Sequence, residues 1–224
     1  MVMLRGSVDV LAGIIMDESI DIDSLFAFGI PNTRLIYENQ KIIGVRGQTL
    51  SAHKRRWLLK RIKAIGIDTI IDLRAGDRSD HFHIACEEAG LECFYFPVDR
   101  FRTPTTVIIS NLPEFIKTIN NGRFYISCAL GLHRTDIALS LHYIFDPNVH
   151  EPPILYGHIR DGKLWYDDIF QRAGSIYNGL TENDKHRLGW DESLASEYLT
   201  RKKTLITQQK ILQLPISVER GNTQ

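Results

Sequence analysis

Apolar positions switch repeatedly along this chain between short continuous runs and helical spacing. "RLIYENQKIIGVRG" (34–47) reads as a strand pair turning at Glu38-Asn39-Gln40. Ser51 is placed to cap a helix through about Ala64, with Trp57, Leu58, Ile62 and Ile65 on one face, and Gly66 ends it. "DTIIDLR" (68–74) is an apolar, β-branched run of buried-strand type. A helix is expected near 80–89, closed by Gly90, then a strand at 91–97 and a loop at 98–105. Thr105 or Thr106 can cap the next helix, which Asn121-Gly122 ends. A strand at 123–127, a loop at 128–134 and a helix from about Arg134 to Phe145 complete the pattern, and Asp146-Pro147 stops it.

Strands that alternate with helices predict an α/β domain with a central, largely parallel sheet flanked by helices. Ligands in such sheets sit beyond the carboxyl ends of strands. The 98–105 and 128–134 loops are both expected there. Residues 1–33 carry weak periodicity and an acidic patch and read as an N-terminal extension, with the core at 34–150. Residues 151–224 read as a C-terminal elaboration whose helices pack on that core. From Glu192 an amphipathic helix is expected, with Leu194, Tyr198, Leu205 and Leu212 near one face.

Composition changes this picture little. The 224 residues balance 27 basic against 27 acidic side chains, which gives no support for a nucleic-acid partner. No apolar run approaches the roughly 18 residues that would span a bilayer, so no membrane insertion is expected. "VLAGIIM" is followed by Asp17, Glu18, Asp21 and Asp23, a poor signal peptide. The cysteines are three, Cys86, Cys93 and Cys128, too few and too odd for a disulfide framework. A reducing cytoplasmic setting with free thiols is expected.

The chemistry concentrates in "ISCALGLHRTD" (126–136). Amides at a helix N-terminus lack partners and attract anions. The loop residues Ala129, Leu130, Gly131, Leu132, His133 and Arg134 can curl into a nest of amides around one tetrahedral oxyanion. Arg134 can fork two donors onto it. Cys128, at the strand end, would point its sulfur at the centre, in surroundings that favour the thiolate. Gly131 relieves the turn, and the Thr135 hydroxyl is placed to bond the sulfur. A thiolate there can attack phosphorus, form a cysteinyl-phosphate and release it to water. A carboxylic acid must protonate the leaving oxygen, and Asp99 is the best candidate. Asp72 is the rival, although its place inside an apolar strand favours a structural role. Asp136 reads as a helix-start carboxylate.

"CALGLHRT" is similar to the C-x-x-G-x-x-R-[ST] loop of cysteine-based protein tyrosine and dual-specificity phosphatases. Asp99 in "FPVDRFRTP" resembles their general-acid loop, 29 residues before Cys128, a spacing that suits the compact dual-specificity branch. "GVRGQTLSAHKRRWLLKRIKAIGIDTIIDLR" resembles that branch's early segment, a strand ending in Arg-Gly-Gln, a helix and a strand ending in Leu-Arg. The resemblance implies phosphomonoester hydrolysis with no metal and no cofactor. It makes Cys128 the nucleophile, Arg134 the phosphate ligand, Thr135 an aid to the second step, and Asp99 acid and then base. Ser127 stands where the family usually has His, His133 where a small residue is common, and Ala129 where inositide-directed members often carry Lys.

A phosphorylated protein is the leading expected substrate. A small phosphate ester, such as a nucleotide or inositol phosphate, is the alternative, and a catalytically weak phosphate-binding module is a third reading. Arg100 and Arg102 flank Asp99 and either bind a second substrate anion or are simply solvated. His81 and His83 read as a surface pair rather than metal ligands. Cys86 and Cys93 read as small buried residues, with a protective disulfide to an oxidised Cys128 as the other possibility.

Overall fold

The computed structural model describes residues 21–38, 40–50, 55–74, 80–98 and 111–154, together with 156, 159–160, 163–164, 181–183, 200–201, 203–204 and 207. The acid candidate Asp99, its neighbours Arg100 and Arg102, the Ser51 cap and most of the expected C-terminal helix lie outside the described residues.

Five strands form one sheet: β1 (Arg34–Glu38), β2 (Lys41–Gln48), β3 (Thr69–Arg74), β4 (Glu92–Val98) and β5 (Phe124–Cys128). Their order is β1-β2-β5-β3-β4. β1 and β2 form the expected antiparallel hairpin, with Gln40 at φ 64 in its turn. All other pairings are parallel. The late strand β5 therefore lies at the centre, and its carboxyl end opens onto the 128–134 loop.

The period of two along β5 divides the core. Phe124, Ile126 and Cys128 face α4 (Leu112–Asn120) and α5 (His133–Phe145) in one apolar cluster. Tyr125 faces the other way, towards α1 (Ile22–Ala27), α2 (Arg55–Ala64) and α3 (Asp80–Glu88). Burial on both faces explains why β3 and β5 read as continuous apolar runs rather than alternating ones.

One expectation fails inside α2. Leu58, Leu59 and Ile62 are buried as an apolar stripe requires, but Trp57 is 51% exposed. Its ring instead lies 4.3 Å beneath the Arg61 guanidinium and meets Phe28 edge-on. The i,i+4 spacing serves a cation–π contact on the surface. A short hairpin of β6 (Ile159–Arg160) and β7 (Lys163–Leu164) was not expected. Beyond it, Arg201 is buried and donates to the carbonyls of Tyr143 (2.7 Å), Asp146 (2.6 Å) and Pro147 (3.1 Å). It thereby supplies partners for carbonyls at and just beyond the end of α5.

Candidate active site

The loop after β5 is shaped by where its carbonyls go. Leu130 O accepts from Asn32 Nδ2 at 2.8 Å. Gly131 O accepts from Arg46 Nε at 3.2 Å and Nη2 at 2.9 Å, and Leu132 O from Arg46 Nη2 at 3.0 Å. The peptide whose Gly131 carbonyl is held outward turns its Leu132 N–H inward, and the amides of Leu130 and Thr135 join it in favouring the Cys128 thiolate.

Gly131 is required by both conformation and space. Its φ is +67, and a Cβ there would lie 2.2 Å from the Gly47 carbonyl carbon and 2.7 Å from Gln48 N. The loop thus rests on the end of β2, where Gln48 pairs with Cys128 and Thr49 N donates to Cys128 O at 2.9 Å.

Cys128 is 3% exposed. Burial pushes its pKa up, but the hydrogen bonds from the Thr135 hydroxyl and from the three amides outweigh burial, and the net shift is downward. Thr135 Oγ1 is itself buried and bonds no other group among the described residues, and its hydroxyl favours the Cys128 thiolate. Tyr125, two strand positions before Ser127, is held in its neutral form by burial and by the nearby Cys128 charge. Its hydroxyl donates to Gln48 O at 2.7 Å.

The chain places Cys128 and Thr135 together, with the amides of the 129–135 stretch around the sulfur. Ala129 and Leu130 face solvent at the mouth, while Leu132, His133 and Arg134 are partly buried. Arg134 Nη1 lies 3.5 Å from Leu73 O, which sets the guanidinium beside the end of β3. Such a pocket suits a tetrahedral oxyanion, because fixed amide dipoles and one guanidinium neutralise it without rearrangement. Asp72 is tied up by Arg74, whose Nε and Nη2 reach its two carboxylate oxygens at 2.6–3.0 Å. Among the described residues, no group of three or more His, Cys, Asp or Glu side chains could hold a metal ion.

Sequence reasoning missed the brace behind the loop. Arg46 is 1% exposed and Asp136 fully buried, and they pair at 2.5 Å between Nη2 and Oδ1. Asp136 Oδ2 accepts from Tyr156 N at 3.0 Å, and the Tyr156 ring lies 4.9 Å from the Arg46 guanidinium. Asp136 does begin α5, but its carboxylate serves this ion pair rather than only the helix dipole. The available signal was an arginine inside the buried strand "IIGVRG", since a buried charge requires a partner.

Residues 30–143 match a family model described as a DSP-PTPase phosphatase fused to NAD+ kinase. No curated protein matches the chain. Among solved structures, the core catalytic domain of the PP-IP phosphatase SIW14 from S. cerevisiae, in complex with citrate, is 14% identical, with a TM-score of 0.39 over 82% of this chain and 96% of that one. PTPMT1 in complex with PI(5)P is 12% identical, with a TM-score of 0.38 over 74% and 94%. Tk-PTP in its active form is 12% identical, with a TM-score of 0.38 over 74% and 92%.

Proposed function

The chain belongs to the cysteine-dependent phosphatases, through the DSP-PTPase family that it matches over 30–143, and on that premise we propose that it hydrolyses phosphomonoesters through a cysteinyl-phosphate on Cys128. The observation that supports this most is the loop whose carbonyls are held outward while three amides surround a thiol shifted towards its thiolate.

In this reading the Cys128 thiolate attacks phosphorus as the P–O bond to the leaving group breaks. Inward amides and Arg134 hold the equatorial oxygens as charge spreads over them. Asp99 gives its proton to the departing oxygen and then takes one from the attacking water. Thr135 donates to the sulfur as the thiolate leaves. The leading substrate is a phosphotyrosine or phosphoserine/threonine protein, since the loop side chain at Ala129 adds no cation for a densely phosphorylated inositol. A second reading, a small phosphate ester, draws on the description of the matched family. NAD+ kinase makes a dinucleotide that carries a phosphomonoester, the bond this site would cleave.

Phosphate release from phosphopeptides, nucleotide phosphates and inositol phosphates, in EDTA, tests the proposal. Cys128→Ser is expected to abolish turnover while vanadate still binds, because a serine hydroxyl does not ionise here and the amides remain. Wild-type turnover by that variant would remove Cys128 as nucleophile. Cleavage of nucleotide phosphates in preference to phosphopeptides would replace the leading substrate class with the second.

A further inference from the structure

Charge is balanced over the whole chain but not along it. The run 53–63, "HKRRWLLKRIK", holds six of the 27 basic residues and no acid. From Arg55 onward it forms α2, whose Leu58, Leu59 and Ile62 are buried on the sheet. That face of the sheet lies opposite Cys128, in the cluster that also holds Cys86 and Cys93. The protective disulfide to Cys128 considered from the sequence therefore does not fit this fold.

The outward side of α2 is basic and aromatic together. Trp57 is 51% exposed, and Arg56, Lys60 and Arg61 are exposed on the same helix. The Arg61 guanidinium lies 4.3 Å from the centre of the indole and 5.6 Å from that of the Phe28 ring. Phe28 meets Trp57 edge-on, with ring centres 6.5 Å apart. Phe26, in the last turn of α1, is 50% exposed. Acids stand at the margins. Glu88 Oε2 takes Arg56 Nε at 3.1 Å, and Asp68 Oδ1 takes Lys63 Nζ at 2.5 Å. Asp21 lies at the far end of the helix, where its N–H donates to Ile65 O at 3.2 Å. Among the described residues, no ion pair joins Lys60 or Arg61.

Each class of partner would use this face differently. A nucleic acid would stack its bases on open ring faces, but Arg61 already covers one face of Trp57. An acidic peptide would engage the cations and leave Trp57 and Phe26 in water. An anionic bilayer takes both, since aromatic rings settle at headgroup level while lysine and arginine are drawn to the charged lipids.

We propose that this face docks the protein on membranes rich in anionic lipid, with Trp57 and Phe26 in the headgroup layer and Lys60 and Arg61 held by its charge. The contact is peripheral, because the apolar stripe of α2 is packed on the sheet and cannot enter the bilayer. α2 runs between β2 and β3, both parallel to β5, so it lies along the flank of the sheet and points back from the 128–134 loop. Docking on this flank leaves that loop open to solvent and does not depend on the chemistry of Cys128.

Sedimentation of the full chain with vesicles tests the surface. Binding is expected to phosphatidylcholine vesicles that contain phosphatidylserine and not to phosphatidylcholine alone. It should be lost at about 1 M salt, where the Debye length is about 3 Å. Lipids brominated near the headgroup should quench the fluorescence of Trp57, and Trp57→Leu should remove that quenching although Trp165 and Trp190 remain. Lys60→Gln with Arg61→Gln should weaken binding about thirtyfold, roughly fivefold for each cation removed from an anionic surface. Both variants should unfold at nearly the wild-type temperature, since the side chains they change are exposed. Vanadate, which fills the Cys128 loop, should leave binding unchanged. Equal binding to the two vesicle types, or full binding by the Lys60 and Arg61 double variant, would overturn the proposal. So would quenching that survives Trp57→Leu, release by vanadate, or preference for a single-stranded oligonucleotide over the anionic vesicles.

Discussion

Cutting the Arg46–Asp136 pair tests whether the loop is held from behind. Both side chains are almost fully buried, and Arg46 Nη2 lies 2.5 Å from Asp136 Oδ1. Removing one partner of a buried pair leaves an uncompensated charge and costs about 3–5 kcal/mol. For a chain of this size each kcal/mol moves Tm by about 2–4 °C, so Asp136→Asn should lower Tm by about 6–20 °C. Arg46→Met loses the same pair and also strips partners from the carbonyls of Gly131 and Leu132. Each buried acceptor left unpaired adds about 1–3 kcal/mol, so this variant should be the less stable of the two. Arg46→Met with Asp136→Asn removes both charges, and its cost should fall below the sum of the singles by about 1–3 kcal/mol. Urea unfolding with linear extrapolation measures all three, and phosphatase assays report the loop. Single substitutions that cost under about 0.5 kcal/mol, as surface changes do, would refute the brace. So would a double variant that is additive.

Three further outcomes are expected. Gly131→Ala sets a Cβ 2.2 Å from the Gly47 carbonyl carbon at a φ of +67. The loop must shift, and because a displacement of about 1 Å costs about 10²-fold, kcat/KM should drop by that order; an unchanged value would contradict the loop geometry. Asp99→Asn should lose about 10²–10⁴-fold on an alkyl phosphate and far less on an activated aryl phosphate; equal losses would exclude it as the acid. The buried Asp146 carboxyl is pushed up by burial but held well below the usual range by bonds from His142, Asn120 and Asn148. A depressed carboxyl stabilises the fold above its unfolded pKa of about 3.9 and loses that contribution only as pH falls through the lower folded value, so Asp146→Asn should destabilise at pH 7 and its deficit should shrink steadily below about pH 3.9 in urea titrations.

The strand–loop–helix around Cys128 was legible because every determinant is local. Strand-favouring Phe124, Tyr125 and Ile126 precede the cysteine, glycine stands at the turn, and a helical apolar pattern follows. The alternation of strands and helices likewise predicts the parallel sheet. What the sequence hides is long-range pairing. Arg46 meets Gly131 across 85 positions, and no periodicity connects them. Strand order is hidden for the same reason, since nothing local says that β5 inserts between β2 and β3. Trp57 misled because helical spacing marks a face without telling whether an apolar ring turns inward or lies under a cation.

Gly131 pressed against the Gly47 peptide ties chemical competence to the order of folding. Strand β2 is synthesised long before β5, yet the amides after Cys128 have nothing to close upon until the two strands align. Non-local parallel pairing of this kind forms late. An oxyanion therefore has no site on the open chain and binds the completed fold alone. At a hundred times its Kd such a ligand shifts the folding equilibrium by about 2.7 kcal/mol. Inorganic phosphate, a product of the proposed reaction, would thereby act on the enzyme as a thermodynamic chaperone.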